Sequence, residues 1–188
     1  YGRSTEGKIR SMVGPTDALT HPLALSGWIE PPVGQPRAAP AGAKALVAVY
    51  GMSFSANVAL AMHEQIPELA VRNAGGPGAT LAHSYAMYQR DRLEHEAHVI
   101  VLGVLASSFP SLSTLTHATW NFEAPSPPFY PRYRLEGGAL AATPAPIASL
   151  AELREALADP ARFEALRAAL ERGDAFYDEL VFRESALD

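Results

Sequence analysis

Hydrophobic and polar positions change their spacing repeatedly between Lys44 and Ser108. "KALVAVYG" (44–51) is a short apolar run of strand length. "SFSANVALAMHEQI" (53–66) sets Phe54, Val58, Ala61 and Met62 at helical spacing, which predicts a helix. "LAVRNAG" (69–75) reads as a second strand. "TLAHSYAMYQRDRLEHEA" (80–97) lines Leu81, Tyr85, Tyr88 and Leu93 along one side with charges opposite, predicting a second helix. "HVIVLGVLASS" (98–108) is the most strand-like run of the chain. Continuous apolar strands alternating with helices predict an α/β fold, a parallel sheet covered by helices on both faces. Right-handed crossovers then collect the C-terminal ends of all the strands on one edge.

The pattern changes on either side of this block. Residues 1–43 are rich in proline and glycine and lack periodicity, so they read as an extended arm, with Trp28 and Ile29 able to pin it to the core. "FPSLSTLTHATWNFEAPSPPFYP" (109–131) reads as a long aromatic loop, and "RYRLEGGALAAT" (132–143) as a hairpin turning at Glu136-Gly137-Gly138. "SLAELREAL" opens with Ser149 and carries Glu152 three residues on, a capping box. "PARFEALRAALERGDAFYDELVF" continues as helix, with Pro160 near its first turn. The expected organisation is an arm over 1–43 and one α/β domain with C-terminal helices over 44–188.

Composition narrows the functional classes. A length of 188 residues and an apolar share of 48% allow a sizeable core. A net charge of −5 supplies no basic stripe to displace phosphate counterions, so nucleic acid is not an expected partner. No apolar run reaches the roughly 18 residues of a membrane span. The absence of cysteine excludes disulfides, thiol nucleophiles and thiolate metal sites. The chain opens on Tyr1 without a signal-like segment and closes on "VFRESALD" without a terminating pattern, so the protein is expected to continue past Asp188.

Three strand ends carry candidate chemistry, because open parallel sheets bind ligands where their strands end. In Gly51-Met52-Ser53-Phe54-Ser55 a serine meets a helix N-terminus, whose N–H groups and dipole stabilise an oxyanion. Ser53 or Ser55 acting as a helix cap is the simpler reading. In Asn73-Ala74-Gly75-Gly76-Pro77-Gly78 the glycines permit close backbone approach to a substrate, or merely a tight turn; neither phosphate-loop nor dinucleotide spacing is present. In Gly103-Val104-Leu105-Ala106-Ser107-Ser108 two hydroxyls face either a ligand or the local backbone.

Together the three segments resemble the SGNH (GDSL-like) hydrolases, in particular bacterial envelope members linked to polysaccharide acylation. "VYGMSFS" resembles the Gly-Asp-Ser-Phe-Ser/Thr block that supplies the nucleophile. "VRNAGGPGAT" resembles the Asn-Ala-Gly-Val-Pro-Gly block. "VIVLGVLASSF" stands where the family has a strand ending in Asn-Asp, and "PPFYPRYRLEGGALAATPAP" is similar to a hairpin of some members. The resemblance spans roughly residues 44 to 146. It implies a three-layer α/β/α sandwich of the SGNH/flavodoxin-like kind and hydrolysis or transfer of an acyl ester, often acetyl, on a carbohydrate. Ser53 is then the nucleophile and Gly78 an oxyanion donor, with Ser107 at the place of the family's asparagine. Met52, Asn73, Ser108 and Trp120 are the substrate-binding candidates. No cofactor and no metal are implied. The expected partners are a small-molecule or glycan ester and a cell-envelope protein, in a periplasmic or extracellular location.

The departures from the family define the alternative. Met52 replaces the aspartate of the first block, Ser108 the aspartate of the third, and no Asp-x-x-His occurs between Tyr1 and Asp188. A serine without a base is a weak nucleophile. His83, opening the second helix, and His117, in the long loop, are the candidate bases. His63 points away along the first helix, His21 lies in the arm, and His95 and His98 sit at the opposite edge, with Glu94 and Glu96, as a charged helix end. Trp120, Phe122, Phe129 and Tyr130 either stack on a sugar ring or form a satellite core. The alternative reading is a non-catalytic relative that binds a glycan or a protein in an envelope assembly.

Overall fold

Strand β1 (Ala45–Gly51) is buried along almost its whole length because it has a neighbour on each side. In the computed structural model, which describes residues 34–76, 79–115 and 129–175, it pairs in parallel with β2 (Leu69–Gly75) and with β3 (Val99–Leu102), giving the order β2-β1-β3. The β1–β2 register runs from Ala45 opposite Leu69 to Gly51 opposite Gly75, and the β1–β3 register from Val47 opposite Val99 to Tyr50 opposite Leu102. Helices α1 (Ser53–Gln65) and α2 (Leu81–Asp91) make the crossovers. Strand side chains alternate between faces. Val47, Val49 and Val71 pack with Ala59 of α1, whereas Ala48 and Tyr50 pack with Met87 of α2. The chain is therefore a mixed α/β protein with a parallel sheet, as its pattern predicts.

Several boundaries differ from the expectation, each for a local reason. β3 stops at Leu102 instead of running to Ser108, because β1 ends at Gly51 and leaves nothing further to pair with. Ala106–Ser113 is instead a 3₁₀ helix. The face of α1 turned to the sheet carries Ser55 and Ala59, and Phe54 stands 61% exposed. Small residues there let the helix approach the strands closely. The inner face of α2 likewise holds Ala82, Ala86 and Met87, and Leu93 lies outside the helix and exposed.

The described residues fall into two compact units, one ending at Phe109 and the other starting at Pro110. In the second, β4 (Arg132–Glu136) and β5 (Ala139–Thr143) form an antiparallel hairpin. Its turn uses Gly137 and Gly138 at φ 58° and 84°, the left-handed pair that a two-residue hairpin loop requires. Helix α3 (Leu150–Ala158) starts on the predicted capping box: Ser149 Oγ accepts from Glu152 N, and the Glu152 carboxylate accepts from Ala148 N. The helical stretch is broken at Asp159, which ends α3 and caps α4 (Pro160–Gly173). Leu115, Phe129, Ile147, Leu153, Phe163, Leu166 and Leu170 are this unit's core. Phe129 and Tyr130 are therefore core residues, with the Tyr130 hydroxyl 2.6 Å from Thr114 Oγ1.

Candidate active site

The order β2-β1-β3 means that the chain reverses direction across the sheet between β1 and β3. In open α/β sheets such a switch point, at the C-terminal strand ends, is where a crevice forms. The residues that leave β1 there are Met52 and Ser53; those that leave β3 run from Gly103 to Ser108. Two of the three sequence segments thus converge on one edge, and the third, after β2, borders them.

Gly51 makes the exit from β1 possible. Its φ is 140°, a conformation open in practice only to glycine. Met52 is the N-cap of α1 in extended conformation, with no side-chain hydrogen bond to the helix. Ser53 is the first helical residue and is exposed. Neither serine caps this helix. The simpler reading of the segment does not describe it, and among the described residues no side-chain cap bond meets the N-terminus of α1 beside the Ser53 hydroxyl. Ser55 turns inward, 3% exposed, and its hydroxyl makes no hydrogen bond among the described residues. That hydroxyl fills the space above Gly51 and Gly103, where either residue's side chain would otherwise stand.

The turn after β2 is fastened to this exit. Gly76 N donates to Gly51 O at 3.0 Å, so it is engaged in structure. Asn73 has both ends of its amide committed: Nδ2 donates to Ala56 O (3.2 Å) and Oδ1 accepts from Gly75 N (3.1 Å). A Cβ at Gly75 would lie 2.8 Å from Ala56 N, so glycine there allows β2 to meet the first turn of α1. Asn73 is thus a positioning residue that joins β2 to α1. Asn73→Asp keeps the acceptor and removes the donor, setting two acceptors against each other. It is expected to destabilise the protein by about 1–3 kcal/mol, read from the urea midpoint.

Ser107 is exposed in the 3₁₀ helix after β3. Ser108 is buried, and its hydroxyl donates to Leu105 O at 2.7 Å, the local bond that competes with ligand binding. His83 lies in the first turn of α2, on the same edge as Ser53; its backbone N bonds the Thr80 cap, and both ring nitrogens are shielded from solvent. His63 is exposed but ten residues along α1 from Ser53, about 15 Å at the helical rise. Gly78, His117 and Trp120 lie outside the described residues, as do Trp28, Ile29, Phe122 and His21. Among the described residues no group of three His, Cys, Asp or Glu side chains could hold a metal ion. Nor is any helix among them long and apolar enough to cross a membrane.

The same α/β unit holds a network that sequence reading did not find. Arg72 and Asp91, fully buried, form a two-pronged ion pair, with Arg72 Nε donating to Asp91 Oδ2 at 2.8 Å and the second prong reaching Oδ1. Tyr50 Oη donates to Asp91 Oδ2 at 2.7 Å and lies 2.7 Å from His95 Nε2. Burial pushes the Asp91 carboxyl up, but the hydrogen bonds from Arg72 and Tyr50 outweigh it and hold it below the usual carboxylate range. The bond to Asp91 raises Arg72, and burial followed by the same carboxylate raises the Tyr50 phenol far above its ordinary value. The available signal was Arg72 itself: a charge within a strand destined for burial requires a partner.

No protein-family model, no curated protein and no solved structure matches this chain.

Proposed function

We propose that this chain is an SGNH-like serine ester hydrolase domain acting on acyl esters of a carbohydrate. The reading rests chiefly on Ser53, an exposed serine that is the first residue of a helix without a side-chain cap, at the switch point of a parallel sheet. The three-layer α/β/α architecture belongs to the same proposal and is supported by the packing of α1 and α2 against alternate residues of β1. In this reaction Ser53 Oγ attacks the ester carbonyl carbon and gives up its proton to a base. The carbonyl oxygen becomes an oxyanion facing the N–H groups of Ser53 and Gly78, with the Ser107 hydroxyl in support. Collapse expels the sugar alcohol, which takes the proton, and leaves an acyl-serine. Water hydrolyses the acyl-serine, or a second sugar hydroxyl receives the acyl group. The base candidates of this reading are those the sequence offers, His83, whose ring nitrogens are enclosed, and His117, which lies outside the described residues.

A second reading, a non-catalytic domain binding a glycan or an envelope protein, draws on a specific observation. Among the described residues, His95 is bonded to Tyr50, His98 Nδ1 accepts from Leu46 N, His83 is shielded and His63 is remote. Fluorophosphonate labelling of the purified chain, read by peptide mass, separates the two. The hydrolase reading expects a label on Ser53 that is lost in Ser53→Ala. A folded protein that takes no label there, alone or in a longer form of the chain, gives the case to the binding domain.

A further inference from the structure

An open groove of about 700 Å³ lies between the 34–43 segment, α1 and β2, lined among others by Pro36, Pro40, Leu60, His63 and Val71. Among the described residues its proline-rich wall is tied to the rest of the unit at two places. Arg72 Nη1 donates to the carbonyls of Gln35 and Pro36 at 3.2 and 3.1 Å, and Asn73 N donates to Gln35 Oε1. One residue further along, Arg37 O accepts from Glu96 N at 2.7 Å, and the Arg37 side chain pairs with Glu94 in an exposed ion pair that adds little. The second tie therefore depends on the turn that follows α2.

Backbone bonds from Glu94 N to Asp91 O and from His98 N to Leu46 O flank that turn, and one imidazole fastens its middle. Ala97 N donates to His95 Nδ1 at 3.1 Å, so Nδ1 is the unprotonated nitrogen. The ring proton then sits on Nε2 and donates to Tyr50 Oη at 2.7 Å, which frees the Tyr50 proton for Asp91 Oδ2. A single arrangement of protons satisfies the chain His95–Tyr50–Asp91–Arg72. A second proton on His95 can go only to Nδ1, where it meets the Ala97 N–H donor to donor. That clash removes the bond from Ala97 to His95, and Glu96, whose N–H holds the wall, is the residue between them.

We propose that the His95 turn is an acid-released latch on the wall of this groove: protonation at Nδ1 breaks the bond from Ala97, and the Glu96–Arg37 tie goes with it. The groups that face His95 oppose one another. Asp91 Oδ2, 3.6 Å from Nε2, favours the cation, while Arg72 of β2 disfavours it. Tyr50 of β1 is a neutral acceptor, with Tyr88 of α2 edge-on against it. Glu94 and Glu96 flank the turn, Glu94 being engaged by Arg37, and His98 beyond it accepts from Leu46 N. Burial comes first in the balance and holds the imidazole below its ordinary range, so the latch is closed at neutral pH and opens in acid.

The test is amide hydrogen exchange by NMR on the full chain between pH 7.5 and 5, corrected for intrinsic rates. Protection of Ala97 and Glu96 is expected to fall about tenfold per pH unit below the imidazole midpoint, as one coupled proton requires. Gly103 N, bonded to Tyr50 O just past the end of β3, keeps its protection as the control. In His95→Asn the amide oxygen replaces Nδ1 as an acceptor that does not titrate, and the pH dependence of both amides disappears. Flat protection in the wild type, a uniform fall that includes Gly103, or an unchanged slope in His95→Asn overturns the proposal. Should that variant not fold, the wild-type ring decides: its ¹⁵N shifts must show the Nε2–H tautomer at neutral pH and titrate with the loss of Ala97 protection. The other tautomer, or a separate midpoint, overturns the latch.

Discussion

Asp91→Ala is expected to lower stability by about 3–5 kcal/mol, because it leaves the buried Arg72 guanidinium without a counter-charge. The loss follows from what remains, more than from what is removed. Arg72 is 2% exposed and among the described residues keeps only the Gln35 and Pro36 carbonyls, and the Tyr50 hydroxyl loses its acceptor. Replacing the pair together, Arg72→Met with Asp91→Leu, removes the orphaned charge and is expected to cost far less than the single change. Urea unfolding of the two variants checks this, and a single variant within about 1 kcal/mol of wild type would show that Arg72 finds water or another partner. The same groups set the acid response. Both His95 and Asp91 have folded pKa values below their unfolded ones, so in each case the unfolded chain binds the extra proton first. The contribution of His95 is complete above about pH 6.5 and is lost as pH falls through its folded value. That of Asp91 is complete above about pH 4 and is lost below it.

The network also marks the limit of what periodicity conveys. The start of α1 at Ser53, the bounds of β2, the hairpin turn at Gly137-Gly138 and the Ser149 cap were all legible, because each depends on neighbours in sequence. The end of α2 was not. The pattern predicts helix to Ala97, yet the helix stops at Asp91, since His95 must leave it to reach Tyr50, 45 residues away, and to bond Ala97. The candidate site divides in the same way. That a serine follows β1 at a helix start is written in the local pattern. That Asn73 is consumed by Ala56 and Gly75, Ser108 by Leu105, and that Ser55 buries an unbonded hydroxyl, depends on which strand ends lie side by side. Two serines separated by one residue look alike in sequence; the helical turn of 100° per residue sends one to solvent and the other beneath the strands.

Gly51→Ala is expected to be the most damaging change near Ser53, at about 2–6 kcal/mol, adding backbone strain to overpacking. A φ of 140° excludes an L side chain whatever room exists. There is also no room: the added Cβ would fall onto Ser55 Oγ and within 2.7 Å of both Ser55 Cβ and Gly103 O. The partner glycine provides the comparison. At Gly103 the new Cβ collides with Ser55 Oγ alone, Ser55 Cβ being 3.1 Å away and Tyr50 O 3.6 Å. Ser55→Ala deletes that oxygen, and because the hydroxyl is buried without a partner its removal by itself costs little or stabilises. Ser55→Ala should therefore recover most of the loss in Gly103→Ala and almost none of it in Gly51→Ala, a difference that a double-mutant cycle on urea midpoints reads directly. Equal recovery at both positions would mean that the exit from β1 tolerates a side chain. Ser53 would then be held by the helix alone and no longer by the bend at Gly51. Recovery only at Gly103 assigns the orientation of Ser53 to a backbone bend that no residue but glycine can supply.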